Sequence, residues 1–177
     1  MVFVLHAKNI FKMIEWSELK YPSSFVALAD ELAHLRTFHS KHVYKKGTEK
    51  YRGNQEHKIS VLGILCELIA RHHFEESDNN IRVAPLITEN PVVGADIILE
   101  GFGEEYLIDV KGTKSSSNFL RINYKAHNNP NKKITHYFFI QPLTKKKANY
   151  CWVKFDAVND WDVIDSTYTK IYQHEIT

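Results

Sequence analysis

The sequence predicts an α/β or α+β protein, a mixed sheet of about five strands with helices flanking it. Three observations carry that expectation. Apolar residues recur at helical spacing before Phe74, the period shortens to two beyond it, and a turn-prone stretch at 77–80 separates the two regimes. A chain of 177 residues, 44% hydrophobic and 25% charged, is ordinary globular material and excludes disordered or collagen-like readings. At that length roughly 70% of the unfolded surface can be buried, so a single domain needs neither disulfides nor a structural metal. Within it the pattern marks an N-terminal helical and basic region at 1–56, a core at 57–155 and a C-terminal extension at 156–177.

The elements follow in order. Ser23 or Ser24, after Pro22, is a plausible N-cap, and Phe25, Leu28, Leu32, Leu35 and Phe38 continue at helical spacing to about Ser40. These five predict the buried stripe of a first helix. A polar connection at 41–56, with Gly47 and Gly53, leads to a second helix over 57–74. Ile59, Val61, Leu62, Ile64, Leu65, Leu68 and Ile69 surround it almost completely, which predicts cover on more than one side. Strands are expected at 81–87, 92–100, 106–111, 137–140 and 150–155, with an irregular or helical basic segment before the last two. A tail containing Trp161 closes the chain, and no internal repeat is visible.

Cys66 and Cys151 each lie in an apolar run without a neighbouring cysteine, as expected of buried thiols in a reducing compartment. The N-terminal apolar run, Val2 to Leu5, is too short for a signal-peptide core or a membrane span, so a cytoplasmic protein without membrane contact is expected. The formal charge of +2 conceals strong segregation. From Lys111 to Lys147 there are nine basic residues and no acid, a local +9. Between Arg36 and Lys58 seven basic residues meet only Glu49 and Glu56, a local +5. Acids concentrate at 75–109 and after 155, an asymmetry suited to holding a polyanion. A solvated lysine-rich surface is the plainer alternative.

The chemistry-bearing stretch is 91–112, whose centre, Gly101-Phe102-Gly103, is a hairpin signal between two strand-like runs. A turn centred between Phe102 and Gly103 pairs residues whose numbers sum to 205, and Asp96 then faces Asp109 on one side of the hairpin. Val93, Ala95, Ile97 and Leu99 should point to the opposite side. Directly opposed side chains have Cβ atoms about 4.5–5.5 Å apart, where like charges destabilise. Neutralising Asp109 should therefore leave the fold intact or raise its melting temperature. Two carboxylates so placed can hold a hard cation such as Mg²⁺, with Mn²⁺ able to substitute. Lys111 projects from the same face and could orient a water beside a phosphate. An ordinary exposed ion cluster is the competing reading. Glu67 is the only acid between Lys58 and Phe74, among small residues that permit close approach of another element. It could complete the set, or form an i,i+4 pair with Arg71.

At this point the chain resembles the PD-(D/E)xK nuclease superfamily, with its restriction-endonuclease-like fold. The match runs from 57 to 141 and consists of a helix with Glu67, then Gly94-Ala95-Asp96, then Asp109-Val110-Lys111, then a basic segment and another strand. Gly63-Ile-Leu-Cys-Glu67 also looks like the Gly-x-x-Gly-Glu helix signature, with Cys66 in place of the second glycine. The chain departs from the pattern in having Pro91 five residues before the first acid and Asp as the second acid. The resemblance implies that Asp96, Asp109 and Glu67 bind Mg²⁺ and that Lys111 assists the attacking water.

The function expected is Mg²⁺-dependent endodeoxyribonuclease, acting on double-stranded DNA in preference to single strands or RNA. Lys114, Ser115, Asn118, Arg121, Lys125, Lys132 and Lys133 are the expected phosphate contacts. The run Lys145 to Lys147, between two expected strands, should only solubilise a turn. One site cuts one strand, so duplex cleavage would favour a homodimer. Zinc is not expected at His72-His73, since adjacent helical residues point about 100° apart and no other ligand joins them at metal spacing. A non-catalytic nucleic-acid-binding module, and a subunit docking a partner through an exposed Trp152 or Trp161, are the alternatives.

Overall fold

A computed structural model describes residues 14–43, 56–77, 80–87, 94–101, 104–166 and 169–176. The N-terminal run, most of the basic connection, Pro91 to Val93 and the hairpin tip at Phe102 and Gly103 lie outside the described residues. The architecture is α+β. In chain order the elements are β1 (Ser17–Lys20), α1 (Ser24–Val43), α2 (Glu56–Glu76), β2 (Asn80–Val83), β3 (Ile97–Gly101), β4 (Glu104–Gly112) and β5 (Phe119–Asn123). There follow α3 (Tyr124–His127), β6 (His136–Pro142), β7 (Lys147–Lys154), a 3₁₀ turn at Asp156–Asp160, β8 (Asp162–Asp165) and β9 (Lys170–Glu175).

Six strands form one sheet in the order β1-β7-β6-β4-β3-β2. Only the β4–β6 pair among these is parallel. A second sheet, β5-β9-β8, joins part of the basic segment to the C-terminal extension. The expected count of about five strands therefore falls short. β1 carries no alternating signature in the sequence, since only Leu19 of its four residues is buried. The segment expected to be irregular or helical contains β5, where Leu120 and Ile122 are buried and Arg121 is exposed, a period of two. β2 ends at Val83, before Pro85, which has no N–H to donate to a ladder.

Each face of the large sheet carries a core. Ile108, Val110, Phe138 and Ile140 pack with Ile64, Cys66 and Ile69 of α2. Tyr137, Phe139, Cys151 and Val153, from the opposite face, pack with Leu120, Ile122 and Tyr172 of the small sheet. β6 is thus covered on both sides, which explains its unbroken Tyr137-Phe-Phe-Ile140 run. α2 is covered by α1 and by the sheet along most of its apolar surface, with Val61, Leu62 and Leu68 partly buried and Ile59 exposed.

α1 differs from expectation. Its seam against α2 is made by Ala29 and Ala33, both fully buried, flanked by Phe25, Val26 and Leu32, while Leu28, Leu35 and Phe38 are exposed. Small residues at the seam let the two helix backbones approach, and the longer side chains are displaced outward. Close approach recurs at Gly112, where an added Cβ would lie 3.0 Å from Cys66 Sγ and 3.1 Å from Leu62 Cγ. The strand thus makes room for the cysteine. Both thiols are free and buried, and burial pushes Cys151 up to about 12. Trp161 is buried against Phe139 and His174, which removes it as an exposed docking residue, whereas Trp152 is exposed.

Candidate active site

β3 and β4 place the first two acids. Ile97 pairs with Ile108, Ile98 with Leu107 and Leu99 with Tyr106, the register in which partners sum to 205. The paired ladder ends at Ile97, and Asp96 meets β4 through contacts of its own. Asp96 lies where the chain bends into β3: its N–H donates to the Ile108 carbonyl (2.8 Å) and its carbonyl accepts from Ala84 (2.9 Å). Its Oδ2 accepts the Val110 N–H at 2.7 Å. The backbone therefore fixes this carboxylate beside β4. The same bend interrupts the alternation expected of 93–99, because Ala95 packs into the second core while Ile97 and Leu99 belong to the first.

Asp109 projects on the face of Tyr137 and is 7% exposed at its side chain. Lys111 Nζ donates to its Oδ1 and Lys132 Nζ to its Oδ2. Both ammonium groups lie over the Tyr137 ring, 5.9 and 5.2 Å from its centroid. Tyr137 is fixed in turn by a 2.9 Å hydrogen bond between its hydroxyl and Nδ1 of buried His127. Lys132 is one of the phosphate contacts the sequence leads one to expect. Its side chain is instead 11% exposed and committed to Asp109, and no spacing in the sequence links a loop lysine at 132 to a strand carboxylate at 109.

The two acids titrate in opposite directions. Burial raises the Asp96 carboxyl to about 7, and Asp109 pushes the same way against Lys111. Burial would raise Asp109 too, but Lys111 and Lys132 outweigh it and hold Asp109 below the usual carboxylate range. Lys111 is raised despite burial, through Asp109 and Asp96. The repulsion thus resides on Asp96, and Asp109 is a buried ion-pair centre. Neutralising Asp109 strands two ammonium groups, so the expected stabilisation at this position is replaced by a loss.

Glu67 bears on the same cluster from α2, since its charge acts on both Asp96 and Lys111. Its ion-pair partner is Arg36 of α1 at 3.2 Å, and Arg36 Nε also donates to the Leu86 carbonyl at 3.1 Å. Arg71, the alternative partner one turn on, donates from Nη2 to the Ala84 carbonyl at 2.5 Å and leaves its buried Nε without a hydrogen bond. Asp96, Asp109 and Glu67 offer the carboxylate oxygens that a hard cation of the Mg²⁺ type prefers, but as a set of three their oxygens do not all lie within 4.8 Å of one another. A cation ligated by Asp109 would take the place of one of its ammonium partners.

The remaining predicted contacts are spread more widely. Lys114, Ser115 and Asn118 are exposed in the loop that leaves β4. Arg121 points outward from β5, where its Nε donates to Gln173 at 2.9 Å, and Lys125 on α3 and Lys133 are exposed. Lys145 and Lys146 lie in the β6–β7 turn, and Lys147 pairs with Glu18 at 3.0 Å. Among the described residues no helix is long and apolar enough to cross a membrane. Compared with protein-family models and with curated proteins, the chain matches neither.

Proposed function

We propose that the chain is a Mg²⁺-dependent endodeoxyribonuclease of restriction-endonuclease-like type, acting on duplex DNA, with Asp96, Asp109, Lys111 and Glu67 as its reaction centre. The observation that carries this reading is the convergence of half-buried Asp96, held to β4 by the Val110 N–H, and buried Asp109, paired with Lys111 on the same strand. Burial, and after it the charge of Asp109, disfavours the ionised Asp96 carboxylate in spite of Lys111, and a bound cation would favour it.

Mg²⁺ bound there supplies charge neutralisation at the phosphate and a more acidic water. The chain's own residues do the rest. Asp96, held by the Val110 N–H, and Asp109 provide the oxygen ligands, with Glu67 adding negative charge from α2. Lys111 orients the attacking water, and Lys132 offers a second ammonium to the charge that develops on the phosphate. Exposed Lys114, Arg121, Lys125 and Lys133 supply sequence-independent phosphate contacts. A two-fold homodimer would provide the second cut in a duplex.

The test is incubation with supercoiled plasmid in Mg²⁺, Mn²⁺, Ca²⁺ or EDTA, for the wild type and Asp109→Ala. Nicking in Mg²⁺ and Mn²⁺ only, lost in the variant, is the expected result; metal-independent cleavage, or none by the wild type, overturns the reading. A second reading has one observation in its favour: both oxygens of Asp109 already have ammonium partners. In that reading the cluster is structural, and the chain is a nucleic-acid-binding module whose DNA affinity is the same in Mg²⁺ and in EDTA.

A further inference from the structure

α1 and α2 bring together a second set of ionisable groups that the reaction centre does not use. Asp30 and His34 are one turn apart on α1 and so share a face. His57 comes from the first turn of α2. Asp30 Oδ1 lies 2.9 Å from His57 Nε2, and Asp30 Oδ2 lies 3.9 Å from His34 Nε2. One donor atom from each residue falls within 4.8 Å of the other two. The imidazole rings are 4.2 Å apart between centroids and tilted by 31°.

We propose that Asp30, His34 and His57 form a binding site for a borderline divalent cation of the zinc class, joining α1 to α2. Hydrogen bonding alone accounts for only part of the arrangement: His57 is within bonding range of Asp30, but His34 is beyond it and still directs Nε2 at the same carboxylate. Tetrahedral zinc with bonds of about 2.1 Å needs donors about 3.4 Å apart. The two contacts reach different oxygens of Asp30; with a single oxygen as the ligand, the three donor atoms lie within 4.8 Å of one another, and rotation of these partly exposed side chains closes them on an ion.

Donor chemistry selects the ion. Two imidazole nitrogens and one carboxylate suit Zn²⁺, Co²⁺ or Ni²⁺, whereas Mg²⁺ prefers oxygen. Side-chain exposures of 54% for Asp30, 66% for His34 and 31% for His57 leave a route from solvent. Three protein ligands leave a fourth position open to water or to a donor from another molecule. The bound ion would link the two helices and stabilise the folded chain by mass action. His34 precedes Arg36, the Glu67 partner, by two residues, so the link lies on the helix that also positions Glu67.

The experiment uses the untagged full chain, dialysed against Zn²⁺ in excess Mg²⁺ so that oxygen-donor sites are filled by the competitor. Bound zinc is counted, thermal unfolding is followed with and without Zn²⁺, and Co²⁺ replaces zinc to read coordination from its visible absorption. The expected result is one zinc per chain, a Zn²⁺-dependent rise in Tm and a tetrahedral Co²⁺ spectrum. All three should be retained in Asp96→Asn and lost in both His34→Ala and His57→Ala, with zinc affinity falling by at least about tenfold. His34→Gln, which keeps side-chain bulk on an exposed helix face, repeats the test should either alanine variant fold poorly. Unchanged zinc binding in the histidine variants, or no zinc retained by the wild type, overturns the proposal. Neither outcome depends on nuclease activity.

Discussion

The two ionisable clusters differ in nearly every physical respect. Asp96, Asp109, Lys111 and Lys132 gather where β3, β4 and β6 adjoin, and both oxygens of Asp109 already carry an ammonium. Asp30, His34 and His57 are set between two helices and open to water. In the first, burial makes pairing obligatory, because an uncompensated buried charge is strongly destabilising. In the second, water screens the charges, and pairs of this kind contribute about 0–1 kcal/mol. The interior cluster is thus part of what holds the sheet together, so its chemistry and its stability cannot be altered separately. The surface cluster can change its occupant with little consequence for the apo fold.

The largest effect should come from Asp109→Asn. Loss of the shared partner of Lys111 and Lys132 should lower stability by about 3–5 kcal/mol in urea unfolding and abolish Mg²⁺-dependent nicking. A variant as stable as the wild type would break the contrast between the two clusters.

Asp96→Asn should act with the opposite sign. A carboxyl raised to about 7 when folded binds its proton more tightly than in the unfolded chain, so stability falls as pH rises from about 4 through 7. Asp109 has a depressed value, and its contribution is present above the unfolded carboxylate range and lost only as pH falls below it. The Asp96 contribution thus falls between pH 4 and 7, opposite in sign to that of His73, His127 and His136, whose burial lowers them and whose contribution rises with pH. Asp96→Asn should flatten that limb in metal-free buffer and raise Tm at pH 8 by several degrees, about 2–4 °C per kcal/mol for a chain of this size. A Tm profile unchanged in the variant would show that the repulsion is relieved elsewhere. Mg²⁺ binding requires the ionised carboxylate, so calorimetric affinity should increase as pH rises through 7 in the wild type.

Lys132→Met sharpens the comparison from the cationic side. Removing one ammonium from Asp109 should tighten Mg²⁺ binding several-fold while slowing cleavage, and a parallel loss of both would assign Lys132 to metal-site architecture alone. The exposed charges proposed to meet DNA are expected to have smaller individual effects. In Ca²⁺, affinity should fall log-linearly with salt, and removing charge at Arg121 and Lys125 should flatten the slope by up to about two units without moving Tm. If slope and affinity stay the same, those side chains are solvated surface. The smallest effect belongs to His34→Ala without added metal, within about 0.5 kcal/mol of wild type, as for an exposed position with no buried partner.

What the sequence determined by itself is the part of the molecule governed by local periods. Strand alternation and one glycine-flanked turn are enough to set Ile97 against Ile108 and to put Asp109 and Lys111 on one face of β4, because a period of two and a turn centre leave one register, whereas the bend that aims Asp96 at β4 lies outside that pattern. The same logic put Ile64, Leu65 and Ile69 of α2 in the core, though Ile59 at its start is exposed. Tertiary structure alone decided the rest. Lys132 reaches Asp109 from a loop, and Arg36 takes Glu67 in preference to the nearer Arg71, contacts that no local period encodes. The seam of α1 passes to Ala29 and Ala33 because helix packing rewards close approach over side-chain size, which spacing alone does not weigh. β5 finds β9 across some fifty residues, and His57 finds Asp30 and His34 across the interhelical connection. Each of these contacts depends on where separate elements dock, and docking is decided by how their surfaces fit once the local structure exists.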